Sequence, residues 1–315
     1  MKMTILSSGP LSTIQDGGRF GLMNTGFSPG GAMDAYSMKI ANLLVGNVPD
    51  LGVIEMTMLG ISATFDCDSL IALTGADMEP MLNDEPMPMY ASVAVHKGDV
   101  LKMAMAKNGM RSYLAVAGGF DLPFEMGSQS TNLKCKIGGY QGRKLQKGDE
   151  LPLMHSVAGM FAPERKINAQ VKYPSSIVVR VILGPQDDYF TEKGIDTFLN
   201  KVYTVTDQSD RMGIRLSGEK IENVNGVDII SDGIATGSVQ IPASGTPIIM
   251  MADRQTTGGY AKIATVIHAD LKRVAQARPG TQVRFAAVSE AEAVKLRRQE
   301  KAELKRYEYT VLTSR

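Results

Sequence analysis

The chain has no tryptophan, two cysteines and three histidines in 315 residues, and its charges nearly cancel: 34 Lys+Arg against 33 Asp+Glu leave a formal net of +1. Each shortage removes a class of function. Cys67 and Cys135 cannot build a disulfide framework or a four-cysteine zinc site. His96, His155 and His268 lie far apart and in no ligand spacing such as H-x-x-x-H, so no metal site is expected. Balanced charge argues against a nucleic-acid binder, which needs surplus Lys and Arg to displace counterions. Long apolar runs are missing as well. The N-terminus, Met1-Lys2-Met3-Thr4-Ile5-Leu6-Ser7, reaches polar residues far short of the ~7–15 apolar residues of a signal peptide. The best apolar window, Tyr113 to Phe120, stops at Asp121, against the ~18 residues of a membrane-spanning helix. The expectation is a cytoplasmic protein without a membrane segment, its cysteines reduced.

Two nucleotide motifs are absent too. No G-x-G-x-x-G occurs, and the Gly-Lys dipeptide of a phosphate loop never appears. Gly26-Phe27-Ser28-Pro29-Gly30 does fit G-x-S-x-G, but the nucleophile elbow takes an oxyanion donor from the backbone N–H after its serine. That residue is Pro29, which has none, so a serine hydrolase is rejected.

What is present reads as a strand-rich globular protein. The composition is 43% hydrophobic and 21% charged, with length for about two domains. Alternating segments flank the turns Lys97-Gly98-Asp99, Lys147-Gly148-Asp149 and Arg278-Pro279-Gly280. Further strands are expected at 62–65, 70–74, 112–117, 177–183, 202–206, 227–230 and 247–251. Many short strands without regularly interleaved helices point to barrels or sandwiches. Helices are few: 35–45 capped by Asp34 and stopped by Gly46, one opened by Asp187 and running to Leu199, one from Asp270 to Arg278, and 290–307. The last begins with a capping box, Ser289 and Glu292, and its many charges predict an exposed face carrying i,i+4 pairs. A polar stretch from His155 to Ser175 divides the chain into halves of about 1–160 and 170–315.

The 32 glycines are unevenly spread. Beyond the strand turns they gather in polar clusters: Gln15–Gly21 extended by Pro29–Asp34, Ala117–Asp121 with Met126–Thr131, Gly138–Arg143, and Asp253–Tyr260. Glycine lets the backbone turn tightly or approach a ligand, while Arg, Asp, Gln, Ser and Thr supply directed hydrogen bonds. Arg19 and Arg143 are candidates for a bidentate clamp on a carboxylate or phosphate. Asp253, Gln255 and Thr257 together offer the donors and acceptors that an amide or ureido group needs. Ordinary β-turns with surface side chains are the competing explanation for any one cluster. The 20 methionines, several at alternating positions between Met56 and Met105, are expected to fill gaps in the core.

These clusters carry a family likeness. Thr13-Ile14-Gln15-Asp16-Gly17-Gly18-Arg19, Gly30-Gly31-Ala32-Met33-Asp34, Ala41–Asn47, Glu55, Leu73–Asp77, Gly109–Gly119, Gly127–Thr131, Ser209–Gly213, Gln240-Ile241-Pro242 and Asp253–Tyr260 resemble the signatures of the allophanate hydrolase subunit 2 family. The likeness runs from about residue 5 to residue 285 and leaves out the helix after Ser289.

The family includes KipA and the C component of the multi-subunit, ATP-dependent 5-oxoprolinase, and it is similar to part of the carboxyltransferase domain of urea carboxylase. The resemblance implies two cyclophilin-like β-barrel domains, over 1–160 and 170–315, with a few short helices and a terminal helix. It implies a KipI-like B component and a separate LamB/YcsF-like A component as partners, and ATP-driven opening of 5-oxo-L-proline to L-glutamate by the complex. Two alternatives remain open at this point: a regulatory protein that antagonises a KipI-like kinase inhibitor, and part of a biotin-dependent carboxyltransferase for urea or allophanate. Under the first reading Asp253, Gln255 and Tyr260 are placed at the amide. Arg19, Arg143, Thr74, Asp77, Ser130, Thr131 and Thr257 are placed at the substrate or its anionic intermediate.

Overall fold

A computed structural model describes residues 1–154, 165–167 and 172–313. Most of the compositional boundary at 155–175, including His155 and Pro163, therefore lies outside the described residues. The chain forms two compact units: residues 1–19, 30–172 and 302–315 make the first, and 20–29 with 173–301 make the second.

The strands of the first unit are β1 (Lys2–Ser7), β2 (Ser12–Gln15), β3 (Val53–Thr57), β4 (Ser62–Phe65), β5 (Ser69–Asp77), β6 (Met81–Leu82), β7 (Glu85–Pro86), β8 (Ser92–Val95), β9 (Val100–Lys102), β10 (Asn108–Val116) and β11 (Glu150–Pro152). They pair antiparallel into a six-stranded sheet, β11-β1-β4-β9-β6-β7, and a five-stranded sheet, β2-β3-β10-β5-β8. The turn at Gly98 thus does not close a hairpin: β8 belongs to one sheet and β9 to the other.

One core lies where the two sheets contribute Met3, Ile5, Phe65 and Leu101 on one side and Ile14, Ile54, Leu73 and Leu114 on the other. Helix α1 (Ala35–Val45) covers the opposite face of the five-stranded sheet through Met38, Ala41 and Leu44 against Val53, Leu70 and Tyr113. That sandwiching explains why β5 and β10 are buried almost throughout rather than on alternate residues, with Thr74, Arg111 and Ser112 buried among the apolar side chains. Asp34 caps α1 by accepting from the Ser37 amide, and Gly46 ends it with φ of 82°, as the sequence predicts. Met56, Met78, Met87 and Met103 are buried in the inter-sheet core, whereas Met105 is exposed.

The second unit contains β12 (Ser176–Leu183), β13 (Tyr203–Val205), β14 (Gly213–Ser217), β15 (Asp228–Gly233), β16 (Ser238–Gln240), β17 (Ile248–Met250), β18 (Thr257–Tyr260), β19 (Lys262–Val266) and β20 (Gln282–Ala287). Seven of these close a barrel in the order β12-β19-β16-β17-β14-β13-β20, sealed by the parallel pair β12–β20. Closure removes the sheet edges that would otherwise invite pairing with another chain. Ile214, Ile249 and Val239 lie in register across β14, β17 and β16, and all are buried in the barrel interior with Val181, Val283 and Phe285. Phe198 of α2 (Glu192–Asn200) stacks on Phe285 with ring centroids 4.3 Å apart. The helix expected from Asp187 resolves into a 3-10 turn at Asp187–Tyr189 followed by α2, whose cap is Thr191. Strands β15 and β18 form a separate two-stranded ribbon.

The remaining helices are α3 (Leu271–Ala275) and α4 (Glu290–Thr313). The Ser289 hydroxyl accepts from the Glu292 amide at 3.2 Å, the capping contact expected at this start. The exposed face predicted for α4 is interrupted, since Leu304 and Tyr307 pack on the α1 core of the first unit. No helix among the described residues is long and apolar enough to cross a membrane. The mainly β class, the few helices and the terminal helix all match the sequence expectation.

Candidate functional site

In the first unit the glycine-rich clusters knit the fold together. Asp16 is almost completely buried, and its carboxylate accepts from the Gly18 amide, the Gln129 amide and the hydroxyls of Ser128 and Ser130. Arg19 is 1% exposed; its Nε donates to the Glu125 carbonyl and its Nη2 to the Ser130 carbonyl. Thr131 donates to the Ile14 carbonyl and Thr74 to the Ser37 carbonyl. Asp77, at the exposed end of β5, accepts from the Glu79 amide at 2.9 Å. Arg143 presents no open fork: Nη1 and Nη2 reach Asp149 at 2.7 and 2.8 Å. Burial resists ionisation of Asp149, yet the Arg143 guanidinium and the Gln146 amide together hold its carboxyl below the usual range. Glu55, from the family likeness, accepts from the Met33 amide and from the Tyr113 hydroxyl, whose phenol is pushed well up by burial and then by Glu55 and Asp34.

Asp253, Gln255, Thr257 and Tyr260 all fall in the second unit, so the sequence candidates divide between the two. Asp253 is engaged by Arg211, whose Nε and Nη2 reach its two oxygens at 2.8 and 3.0 Å. That bidentate pair fixes the loop leading into β18, and the Ser28 hydroxyl, donating to the Ala252 carbonyl at 3.0 Å, braces the same loop. Gln255 and Tyr260 border a cleft of about 400 Å³. Thr257 is exposed at the start of β18 and does not line it.

The cleft lies on the outer face of the barrel. Because side chains alternate along a strand, the row beside the interior Ile214–Ile249–Val239 points the other way. That row is Arg215–Ile248–Gln240, again in register across β14, β17 and β16. Gly213 and Met250, also in register, continue this floor by one step. The wall is the ribbon strand β18, through Gly258, Gly259 and Tyr260. The ribbon is tied to the barrel where buried Lys262 donates its Nζ to Asp232 at 2.7 Å.

The electrostatics of the cleft are one-sided. Arg215 is the only charged group among its described lining residues, and no carboxylate among the described residues pairs with its guanidinium. Nearby in sequence, Arg254 is buried without a carboxylate partner among the described residues; it donates to the carbonyls of Ile234 and Met251. Burial draws its pKa down to about 10, which leaves it cationic at neutral pH. Gln240, 4% exposed, donates Nε2 to the Tyr260 carbonyl at 3.3 Å, and its Oε1 has no partner among the described residues. Cationic at one end, amide-bearing at the other and apolar between at Ile248 and Met250, the lining is built for positioning. Its described members include no His, Cys, Asp or Glu.

Sequence reasoning misses Arg215 and Gln240 as site residues, although Ser209–Gly213 and Gln240-Ile241-Pro242 both belong to the family likeness. The signal is present: Arg215 follows Gly213 at a spacing of two on one strand, so both face the same side.

The residues 25–287 match the family model for the carboxyltransferase domain, subdomains A and B. The chain is 44% identical over 292 residues to the C component of 5-oxoprolinase from Haemophilus influenzae, covering 91% of each chain. It is 39% identical over 295 residues to the same component from Escherichia coli, covering 94% of each. Among solved structures, the urea amidolyase of K. lactis superimposes with a TM-score of 0.90 at 29% identity; the match spans 97% of this chain and 20% of that one. The chain belongs to the carboxyltransferase domain, subdomain A and B, family.

Proposed function

We propose that this chain is the C component of a cytoplasmic, ATP-dependent 5-oxoprolinase and works with a KipI-like B component and a LamB/YcsF-like A component. The reaction consumes 5-oxo-L-proline, ATP and two waters and yields L-glutamate, ADP and phosphate. A lactam resists hydrolysis because resonance strengthens its C–N bond. Phosphorylation of the amide oxygen by ATP releases ADP and makes the carbon electrophilic; one water then opens the ring, and a second hydrolyses the resulting acyl phosphate to glutamate and phosphate. The contribution of this chain is to hold the lactam and steady its anionic, phosphorylated form. Gln255 and Tyr260 serve at the amide, and Asp253 serves indirectly by anchoring Arg211 and the loop. With no Gly-Lys phosphate loop in the chain, ATP binding is assigned to the assembled complex.

The observation that carries this reading is length-matched likeness: the relatives named as this component of 5-oxoprolinase align over nine-tenths of both chains. The urea amidolyase of Saccharomyces cerevisiae, 31% identical, is matched over only 16% of its length. The family model and that relative still favour a second reading, carboxyl transfer from biotin on a carrier protein to a urea-like amide.

The test is reconstitution with the KipI-like and LamB/YcsF-like partners. Glutamate and phosphate should form together from 5-oxoproline and ATP, and omission of this chain should abolish both. A full set of components that makes no glutamate, or a chain that instead needs bicarbonate and a biotinylated carrier, overturns the proposal.

A further inference from the structure

We infer that Arg215 reads the substrate's carboxylate, so that the cleft selects small cyclic amides carrying a carboxylate on the ring carbon next to nitrogen. The inference rests on the 5-oxoprolinase reading and adds to it the orientation of the ligand and the residue that sets specificity.

Three observations support it. First, the guanidinium has no ion-pair partner and no side-chain hydrogen bond among the described residues, whereas the other cations around the loop are engaged: Arg211 by Asp253, Lys262 by Asp232, and Arg254 by the carbonyls of Ile234 and Met251. A guanidinium held over a half-apolar floor gains a bidentate partner when a carboxylate arrives. Second, the amide of Gln240 is oriented before any ligand binds. Its Nε2 is committed to the Tyr260 carbonyl, which leaves Oε1 to accept a lactam N–H. The exposed Gln255 carries no side-chain bond among the described residues and supplies the donor for the lactam oxygen. Third, the spacing suits one small molecule. Arg215 and Gln240 stand two strands apart across Ile248, roughly 10 Å between backbones at ~4.8 Å per strand. Their side chains close on a five-membered ring whose methylenes rest on Ile248 and Met250.

The experiment uses the reconstituted complex with two substrates, 5-oxoproline and 2-pyrrolidinone, the same lactam without the carboxylate. Arg215→Ala and Arg215→Gln should raise KM for 5-oxoproline by about 10- to 100-fold, the effect of losing a charge-assisted bidentate contact, with kcat changed far less. Both variants should lose most of the wild-type preference for 5-oxoproline over 2-pyrrolidinone, while Arg215→Lys keeps part of it. Lys193→Ala, which removes an exposed pair with Glu222, serves as the charge control and should leave both values unchanged. Because the Arg215 side chain makes no bond among the described residues, these variants should melt close to wild type. An active complex in which the Arg215 variants keep the wild-type KM and preference overturns the inference alone. A wild-type complex that makes no glutamate overturns the 5-oxoprolinase reading and removes the basis of the inference with it.

Discussion

At position 258 any side chain would have to displace the ends of two neighbouring ones. A Cβ there would lie 2.7 Å from Cδ1 of Ile234 and 2.9 Å from Nε2 of Gln240. The wall of the cleft therefore lies directly against the Gln240 amide. Other glycines answer to torsion: Gly98 and Gly148, at φ of 95° and 90°, sit where an added Cβ would meet nothing. Sequence alone places both kinds of glycine in turns and clusters but cannot separate them, since the distinction depends on what packs opposite. The arginines show the same limit. Arg143 sits in a polar, glycine-rich loop, and only the fold reveals that Asp149 occupies it. Arg143→Ala is expected to destabilise the first unit by about 1.5–3 kcal/mol, the range for hydrogen bonds to a charged group. The pH dependence has a definite sign. Asp149 has its folded pKa depressed, so its contribution is present above the ordinary carboxylate pKa and is lost as pH falls through the folded value. Thermal melts from neutral pH down through the carboxylate range should show wild type losing more stability than Arg143→Ala. Parallel curves would refute the assignment of Arg143 to the fold.

At the scale of elements, α1 is legible in detail because its cap, apolar spacing and stop all lie within one short segment. Strand partners are not, because pairing is non-local: the alternation around Gly98 is correct, yet β8 joins β5 while β9 joins β4 and β6. Helix α4 combines both situations. Its start is written in Ser289 and Glu292, but Leu304 and Tyr307 are sparse apolar positions in a charged run and give no strong periodic signal. Spaced three apart, they nonetheless share a face, and that face meets the α1 core. Earlier in the helix Glu300 is largely buried; burial opposes its charge, but His268 and Lys272 hold its carboxyl below the ordinary range. Truncating Leu304 and Tyr307 together to alanine should cost about 2–4 kcal/mol, less than for two fully buried side chains. The measurement is a urea or guanidinium melt, with KM for 5-oxoproline unaffected. An unchanged midpoint would show that the contact contributes nothing to stability.

Across the whole molecule, the two units are not the two halves of the chain: residues 20–29 belong with the second unit and 302–315 with the first. A boundary drawn from composition cannot detect such exchanges, because they depend on contacts between segments hundreds of residues apart. The chemistry is distributed in a similar way. The cleft supplies a cation, two amides, a phenol and an apolar floor, while its described lining holds no imidazole, thiol or carboxylate to move a proton at neutral pH. Under the 5-oxoprolinase proposal, such a lining positions the substrate and leaves the phosphoryl chemistry to the assembled complex, which separates binding from turnover. The purified chain alone should bind 5-oxoproline, with the binding lost in Arg215→Ala, and should release neither glutamate from 5-oxoproline nor phosphate from ATP. Titration calorimetry on the full chain and a phosphate-release assay read the two properties independently. Phosphate release by the isolated chain that depends on 5-oxoproline would place the phosphoryl chemistry inside this chain and contradict the division of labour argued from the cleft.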